Sequence, residues 1–413
     1  MILRSIGGFF LFVGIAWLLS ENRRRFPVRT VAAGLGLQVF LAVALLKFPY
    51  CARIFAWLNR AVLALQEATI DGAGFVFGYL AGEKPPFAVT DPQATFILAF
   101  QALPLVLVIS ALSSLLFYWG ILQAIVRVFS RIFEKTMQLG GAESLGVSAN
   151  IFVGMVESPL LIRPYVAKLT RSELFAVMVS GMATIAGTMM VVYASILSDL
   201  VPNVMGHILT ASIISAPAAI VIAKIMVPET AEITGAGLTQ PTEACGAMDA
   251  LSRGTLQGME LLLNIIAMII VLVAVVSLIN TVLGLFPGVA GQPLTLQRIF
   301  GWLLSPLVWM MGIPWAEVQA AGALLGTKSV LNEMIAYVDM TRMAPEVLSP
   351  KSILIMSYAL CGFANPGSLG IMIGGLGGIA PERRHEIASL GLRSIIAGTL
   401  ATCMTGTVAG FLV

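Results

Sequence analysis

The chain has 413 residues, 58% hydrophobic and only 11% charged, with a formal net charge of +3 and a mean hydropathy of +0.94. Ordinary soluble domains carry about 25% charge, so this chain cannot coat a globular surface with polar groups and an integral membrane protein is the class that remains. Its small positive balance gives no nucleic-acid footprint, its scattered cysteines and histidines give no disulfide framework or zinc site, and no Walker A loop supports direct ATP drive.

Ile2 to Leu19 is an apolar run of spanning length without a cleavage site, and reads as a retained helix. Arg23, Arg24, Arg25 and Arg29 follow; by the positive-inside rule this loop is cytoplasmic and the N-terminus lies outside. Thr30 to Phe48 returns across the membrane. Pro49 to Leu80 mixes Arg53, Arg60, Glu67 and Asp71 with apolar residues, which predicts an interfacial amphipathic helix. A loop over Gly82 to Pro92 leads to a third span, Phe96 to Tyr118. Arg127, Arg131 and Lys135 recur four apart among apolar neighbours and predict a second interfacial helix on the cytoplasmic face.

Asn150 to Tyr165 is the anomaly in the pattern. It places Glu157, Arg163, Pro159 and Pro164 in a region otherwise apolar enough for a bilayer. Charge inside a membrane is costly and normally faces a polar cavity, and two prolines five residues apart predict a bent or re-entrant segment. Lys168 and Arg171 bring the chain back to the same side, so a hairpin is expected rather than two spans. Leu174 to Leu197 is a span interrupted at Thr184 to Thr188, Met205 to Met226 is intact, and Pro228 to Arg253 is the one long hydrophilic loop. Leu256 to Leu285 is the longest apolar run, enough to span with tilt.

The order then recurs: an interfacial helix over Ile299 to Met311, and a charged hairpin over Ala316 to Asp339 with Lys328, Asn332 and Glu333. A span broken at Phe363 to Ser368 and an intact span over Ile387 to Leu412 complete the second set. Interfacial helix, charged hairpin, broken span and intact span thus occur twice, with the hairpins starting from opposite sides. That is the inverted-repeat signature of secondary transporters, whose substrate site lies where the broken elements meet. The fold class expected is an all-α polytopic membrane protein with about eight transmembrane helices, two opposed re-entrant hairpins and interfacial helices. Its parts are N-terminal scaffold and interfacial helices over 1–135 and a first transport repeat over 136–226. A loop, a long scaffold helix and an interfacial helix occupy 227–311, and a second transport repeat occupies 312–413.

Glu157 and Glu333 are the carboxylates at the centre of this reading. A polyol such as a sugar suits them, since each oxygen accepts hydrogen bonds, and Asn365 and Ser368 at a helix break add neutral donors and acceptors. The alternative is a pair of structural ion pairs, Glu333 with Lys328 and Glu157 with Arg163. Asn150, the carbonyl of Val153, Thr184 and the carbonyl of Ile185 form an all-oxygen set of the kind Na⁺ takes; the alternative is a hairpin tip capped by Asn150 and Thr184. Met155, Val156, Met189 and Phe363 are either packing residues or ligand contacts. Tyr165, Trp302, Trp309 and Trp315 suit interfacial belts.

Four stretches carry a resemblance. They are N-I-F-V-G-x-x-E-S-P-L-L-I-R-P-Y over Asn150 to Tyr165, A-T-I-A-G over Ala183 to Gly187, G-T-K-x-x-L-N-E over Gly326 to Glu333, and C-G-F-A-N-x-G-S over Cys361 to Ser368. From about Phe96 to the C-terminus the chain resembles the concentrative nucleoside transporter family. The resemblance implies a nucleoside symporter of the cell's inner (plasma) membrane, with both termini outside, a homotrimer embedded in lipid, and no cofactor beyond a coupling cation. It implies that Glu333, Asn365 and Ser368 bind ribose with Phe363 lining it, that Gly154, Met155, Val156 and Glu157 face the nucleobase beside Met189, and that Asn150, Val153, Thr184 and Ile185 bind Na⁺. Proton-driven relatives tend to lack an asparagine at the position of Asn150, so Na⁺ is favoured over the alternative, H⁺. Met155 and Val156 replace a polar Gln-Thr pair of pyrimidine-type members, which predicts retained ribose recognition with relaxed or redirected base selectivity. Pro366 is a second departure.

Rival classes make different demands. A membrane-embedded enzyme could use the paired carboxylates for acid/base chemistry but lacks a nucleophile–base pair. A channel needs a continuous polar lining, and a sensor needs a larger soluble domain than the 228–253 loop.

Overall fold

The computed structural model describes residues 2–82, 84–87, 97–155, 157–234, 244–289 and 291–412. α1 (Ile2–Leu18), α2 (Val28–Lys47) and α3 (Pro49–Phe77) come first, followed by the short α4 (Leu98–Gln101), α5 (Pro104–Tyr118) and α6 (Ile121–Met137). The first repeat contains α7 (Gly141–Asn150), α8 (Glu157–Leu161), α9 (Arg163–Val166), α10 (Arg171–Ala183), α11 (Gly187–Leu197) and α12 (Val204–Met226). α13 (Ala247–Leu283) and α14 (Leu296–Met310) connect it to α15 (Val318–Val330), α16 (Glu333–Thr341), α17 (Pro350–Ala359), α18 (Pro366–Ile379) and α19 (Arg384–Leu412).

No strand occurs among the described residues beyond one bridge, Val289 to Gln292. Six helical stretches are long and apolar enough to cross a membrane, at 28–47, 98–118, 171–197, 204–226, 247–283 and 381–412; the apolar part of α1 and α18 are shorter. The chain is a polytopic membrane protein, as the hydropathy pattern predicts.

Local sequence explains the main elements. Along α6 the buried residues are Gln123, Val126, Ser130, Phe133 and Met137, a three-four spacing that forms one stripe, while Arg127, Arg131 and Lys135 are exposed on the other face. α10 begins at a capping box in which the Thr170 side chain and Glu173 satisfy each other's backbone amides. α13 packs along α5, and its Gly254-x-x-x-Gly258 stripe permits the approach, because a Cβ at either glycine would strike the backbone or side chain of Ser110.

α10, α12, α17 and α19 pack on one another at the centre. Around them the hairpins are arranged crosswise. The first arm of each hairpin lies on the first half of its own broken helix, α7 on α10 and α15 on α17. The second arm lies on the second half of the other repeat's broken helix, α8 on α18 and α16 on α11. This reciprocal pattern is what two inverted repeats require.

Several boundaries differ from the sequence reading. The first hairpin begins at Gly141, not at Asn150, because small residues from Gly141 to Asn150 give little hydropathy signal yet bury completely. The third span's helix starts at Leu98 rather than Phe96, which lies outside the described residues, as do parts of the predicted loops at 83, 88–92 and 235–243. α13 starts at Ala247, so the long loop is shorter than expected. The second break runs from Leu360 to Asn365, and Pro366 occupies the first turn of α18, where its missing amide costs nothing.

Candidate functional site

Glu157 and Glu333 are the first residues of α8 and α16, the second arms of the two hairpins. A helix N-terminus favours a carboxylate there, which is why both charges are tolerated at this depth. Asn332 caps α16, its Oδ1 accepting from the Ile335 amide at 2.8 Å. Ahead of α8 the chain must pass tightly over the acid: a Cβ at Gly154 would collide with Glu157 Oε2, so glycine is required for the carboxylate to sit as it does.

Both carboxylates open into one cleft, lined mostly by apolar side chains with a few convergent polar groups, the make-up of a small-molecule site. Gly154, Met155, Glu157, Met189, Glu333, Phe363, Asn365 and Ser368 all line it. Val156 lies outside the described residues. Glu333 is buried and fully engaged: Tyr193 Oη donates to its Oε1 at 2.5 Å, and Asn365 Nδ2 donates to its Oε2 at 3.1 Å. Asn365 in turn caps α18, its Oδ1 accepting from the Ser368 amide at 2.8 Å. The carboxylate is thus fixed by two repeats at once while each oxygen keeps a lone pair for a ligand hydroxyl. Glu157 is exposed to the cleft.

The structural ion pairs offered as an alternative do not form. No ion pair joins Glu157 to Arg163, and Lys328 donates instead to the Ala359 carbonyl and to Thr402 Oγ1, both at 2.8 Å.

Tyr193 and Asn264 are among the cleft residues that escaped the sequence reading. Tyr193 sits four residues after Met189 and so shares its face of α11. Asn264 is the sole polar side chain between Leu261 and Val276 of α13 and lines the cleft with Leu261, Ile265, Met268 and Leu272. A lone asparagine in so apolar a run was the available signal.

Of the four proposed ion ligands, Asn150 and Thr184 meet at the end of α7, away from the cleft. Asn150, Thr184 and Ile185 are buried and Val153 is half-buried. Asn150 Nδ2 donates to the Val177 carbonyl at 3.2 Å, and its Oδ1 is a buried acceptor without a hydrogen-bond partner. The Thr184 hydroxyl lies 2.9 Å from the Asn150 carbonyl and 2.8 Å from that of Ser180, and its one proton serves only one of them at a time. Neutral oxygens with unmet lone pairs, at the end of a broken helix, fit a monovalent cation.

Comparison with known proteins bears on this geometry. Residues 207–410 match the family model described as Na+ dependent nucleoside transporter C-terminus, residues 7–80 its N-terminus, and residues 99–200 the model described as nucleoside recognition. An uncharacterized transporter of Haemophilus influenzae is 38% identical over the whole of this chain and 98% of its own. The nucleoside permease NupC of Helicobacter pylori is 34% identical over 99% of this chain and 97% of its own. Among solved structures, CNTnw in an inward-facing substrate-bound state superposes with a TM-score of 0.91 at 35% identity, covering all of this chain and 98% of that one. The same protein in an outward-facing state matches at 0.90 over 99% of this chain and 97% of its own.

Proposed function

Since this chain belongs to the concentrative nucleoside transporter family, and so to transporters rather than enzymes, we propose that it carries nucleosides into the cell with Na⁺ by alternating access. The observation that carries this reading is Glu333, held by Tyr193 of one repeat and Asn365 of the other at a cleft that Glu157 also enters. Ribose hydroxyls donate to the Glu333 oxygens and meet Asn365 and Ser368, with Phe363 against the sugar. The nucleobase lies toward Gly154, Met155, Val156, Glu157 and Met189. Na⁺ binds at Asn150, Val153, Thr184 and Ile185, and the orphaned Asn150 Oδ1 supports Na⁺ over H⁺, because a proton on a neutral amide serves no purpose.

The ion set touches the same hairpin tip that carries Glu157. Gly187 N donates to the Phe152 carbonyl at 2.9 Å and Ser212 Oγ to that of Ile151 at 3.1 Å, so the tip is tied to α11 and α12 at the ion site. Ion binding would order the tip and with it the base subsite, which is how coupling arises. The proposed carrier is a homotrimer in the plasma membrane, with both termini outside. In support, α13 leaves Leu263, Ile270, Val271, Leu278 and Val282 exposed on one protomer, a surface for lipid or a neighbouring protomer.

Uptake of labelled uridine and adenosine into proteoliposomes tests the reading. An inward Na⁺ gradient is expected to drive accumulation above the Na⁺-free control; equal rates with and without Na⁺ contradict the coupling, and no uptake of either nucleoside contradicts the substrate.

A further inference from the structure

We propose that Lys328 is a tethered cation that fills the second repeat's counterpart of the ion site, so that only the first repeat exchanges an ion during transport. This inference rests on the Na⁺-coupled reading above.

The two places are equivalent by construction. In each repeat the hairpin's first arm packs on the broken helix's first half, α7 on α10 and α15 on α17, and a residue of the arm's last turn hydrogen-bonds at that half's C-terminal end, Asn150 with Thr184 and Lys328 with Ala359. A hydroxyl from the following intact helix joins them, Ser212 of α12 in one case and Thr402 of α19 in the other. In the first repeat the arm contributes Asn150, a neutral group whose buried Oδ1 has no partner. In the second it contributes Lys328, fully buried.

The lysine behaves as a bound cation does. Its Nζ donates to the carbonyl of Ala359, the last residue of α17, at 2.8 Å and to Thr402 Oγ1 at 2.8 Å. Thr402 gives its own proton to the Thr399 carbonyl at 3.1 Å, so its oxygen is an acceptor toward the lysine. Glu333 attracts Lys328 only at longer range, and no carboxylate hydrogen-bonds the ammonium directly, although buried ammonium groups ordinarily require one. Glu333, five residues on, is engaged by Tyr193 and Asn365 instead. Its direct partners are the carbonyl at the negative end of α17 and a hydroxyl, neutral oxygens of the same kind as those proposed to hold a free ion in the first repeat. One repeat carries oxygens that need a cation; the other carries the cation in its own chain.

The test is made on the full-length protein in proteoliposomes. For the wild type, the membrane potential that halts nucleoside flux at fixed gradients reports the number of Na⁺ ions per nucleoside. One is expected, and two overturns the inference whether or not any variant folds. Lys328→Ser leaves an oxygen-lined vacancy. Its Na⁺ activation curve is expected to steepen from a Hill coefficient of about 1 toward about 2, the number of sites then open. A slower variant whose Na⁺ curve keeps its wild-type shape assigns Lys328 a merely structural role and overturns the inference. Wild-type uptake indifferent to Na⁺ removes the coupled reading itself and this inference with it, an outcome distinct from Na⁺-dependent uptake with an unchanged variant.

Discussion

Tyr193 and Glu333 stand 140 residues apart and meet in the cleft, the tyrosine hydroxyl donating to Glu333 Oε1 at 2.5 Å. One belongs to the second half of the first broken helix and the other to the second arm of the opposite hairpin, so this bond joins the repeats at the cleft. Tyr337 packs against the Tyr193 ring, with centroids 5.1 Å apart, and donates to the Ser357 carbonyl, which fixes the aromatic pair in turn.

Tyr193→Phe removes that donor and leaves the ring packing in place. A hydrogen bond to a charged group contributes roughly 1.5–3 kcal/mol, so nucleoside affinity is expected to fall by about tenfold or more. Half-saturating concentrations for uridine and adenosine uptake measure it, and an unchanged value removes Tyr193 from the site.

Glu333→Gln keeps the shape and loses the charge. With the ribose role proposed for it, every nucleoside is expected to weaken alike, by about ten- to a hundredfold at roughly 1.4 kcal/mol per factor of ten. Competition among purine and pyrimidine nucleosides reads this directly, and a loss confined to one base class contradicts the ribose assignment.

Met155 lines the cleft, and its Cβ lies against Gly181 of α10, where an added Cβ would strike it. Met155→Gln combined with Val156→Thr introduces two hydrogen-bonding groups at the proposed base subsite. Preference among bases is expected to shift toward pyrimidines, since sites that hydrogen-bond a substrate discriminate more than apolar ones. A competition profile identical to wild type would remove the selectivity assignment.

Asn150→Ala deletes the orphaned acceptor of the proposed ion site. The Na⁺ concentration for half-maximal uptake is expected to rise about tenfold, a change worth roughly 1.4 kcal/mol. If the Na⁺ activation curve does not move, the ion lies elsewhere.

On the loop between α1 and α2, Glu21 accepts from Arg171 Nη2 at 2.9 Å and pairs with Arg393, and the hydrogen bond from Arg171 holds its carboxyl below the ordinary glutamate range. Its depressed value means that its stabilisation is present above the unfolded-state value and is lost as pH falls through the folded one. The groups are substantially exposed, so the contribution is under about 1 kcal/mol. Glu21→Gln is expected to lower the apparent unfolding midpoint slightly at neutral pH in detergent, with the difference vanishing in acid. A difference that grows in acid would reverse the sign argued here.

The legibility of the site was uneven for physical reasons. Glu157, Glu333, Asn365 and Thr184 stood out because charge, amide and helix breakers are anomalies in an apolar chain, and anomalies are local. The first arm of hairpin 1 did not stand out: Gly141 to Asn150 is short of apolar side chains and carries Glu143, and only burial by α6 and α10 and the pairing of Glu143 with Lys224 of α12 make it a membrane element. Asn264 sits on a helix separated from both hairpins in sequence, so nothing local says that its face meets the cleft.

By itself the sequence determined the class, the two repeats, their hairpins and breaks, and the carboxylates at the centre, because hydropathy and backbone chemistry act over one or two turns. Only the tertiary structure decided which partner each polar group takes. Lys328 lies five residues from Glu333 yet binds Ala359 and Thr402, while Glu333 reaches back to Tyr193. Inside a membrane every buried donor must find an acceptor, and the crossed packing of two repeats brings distant acceptors closer than sequence neighbours.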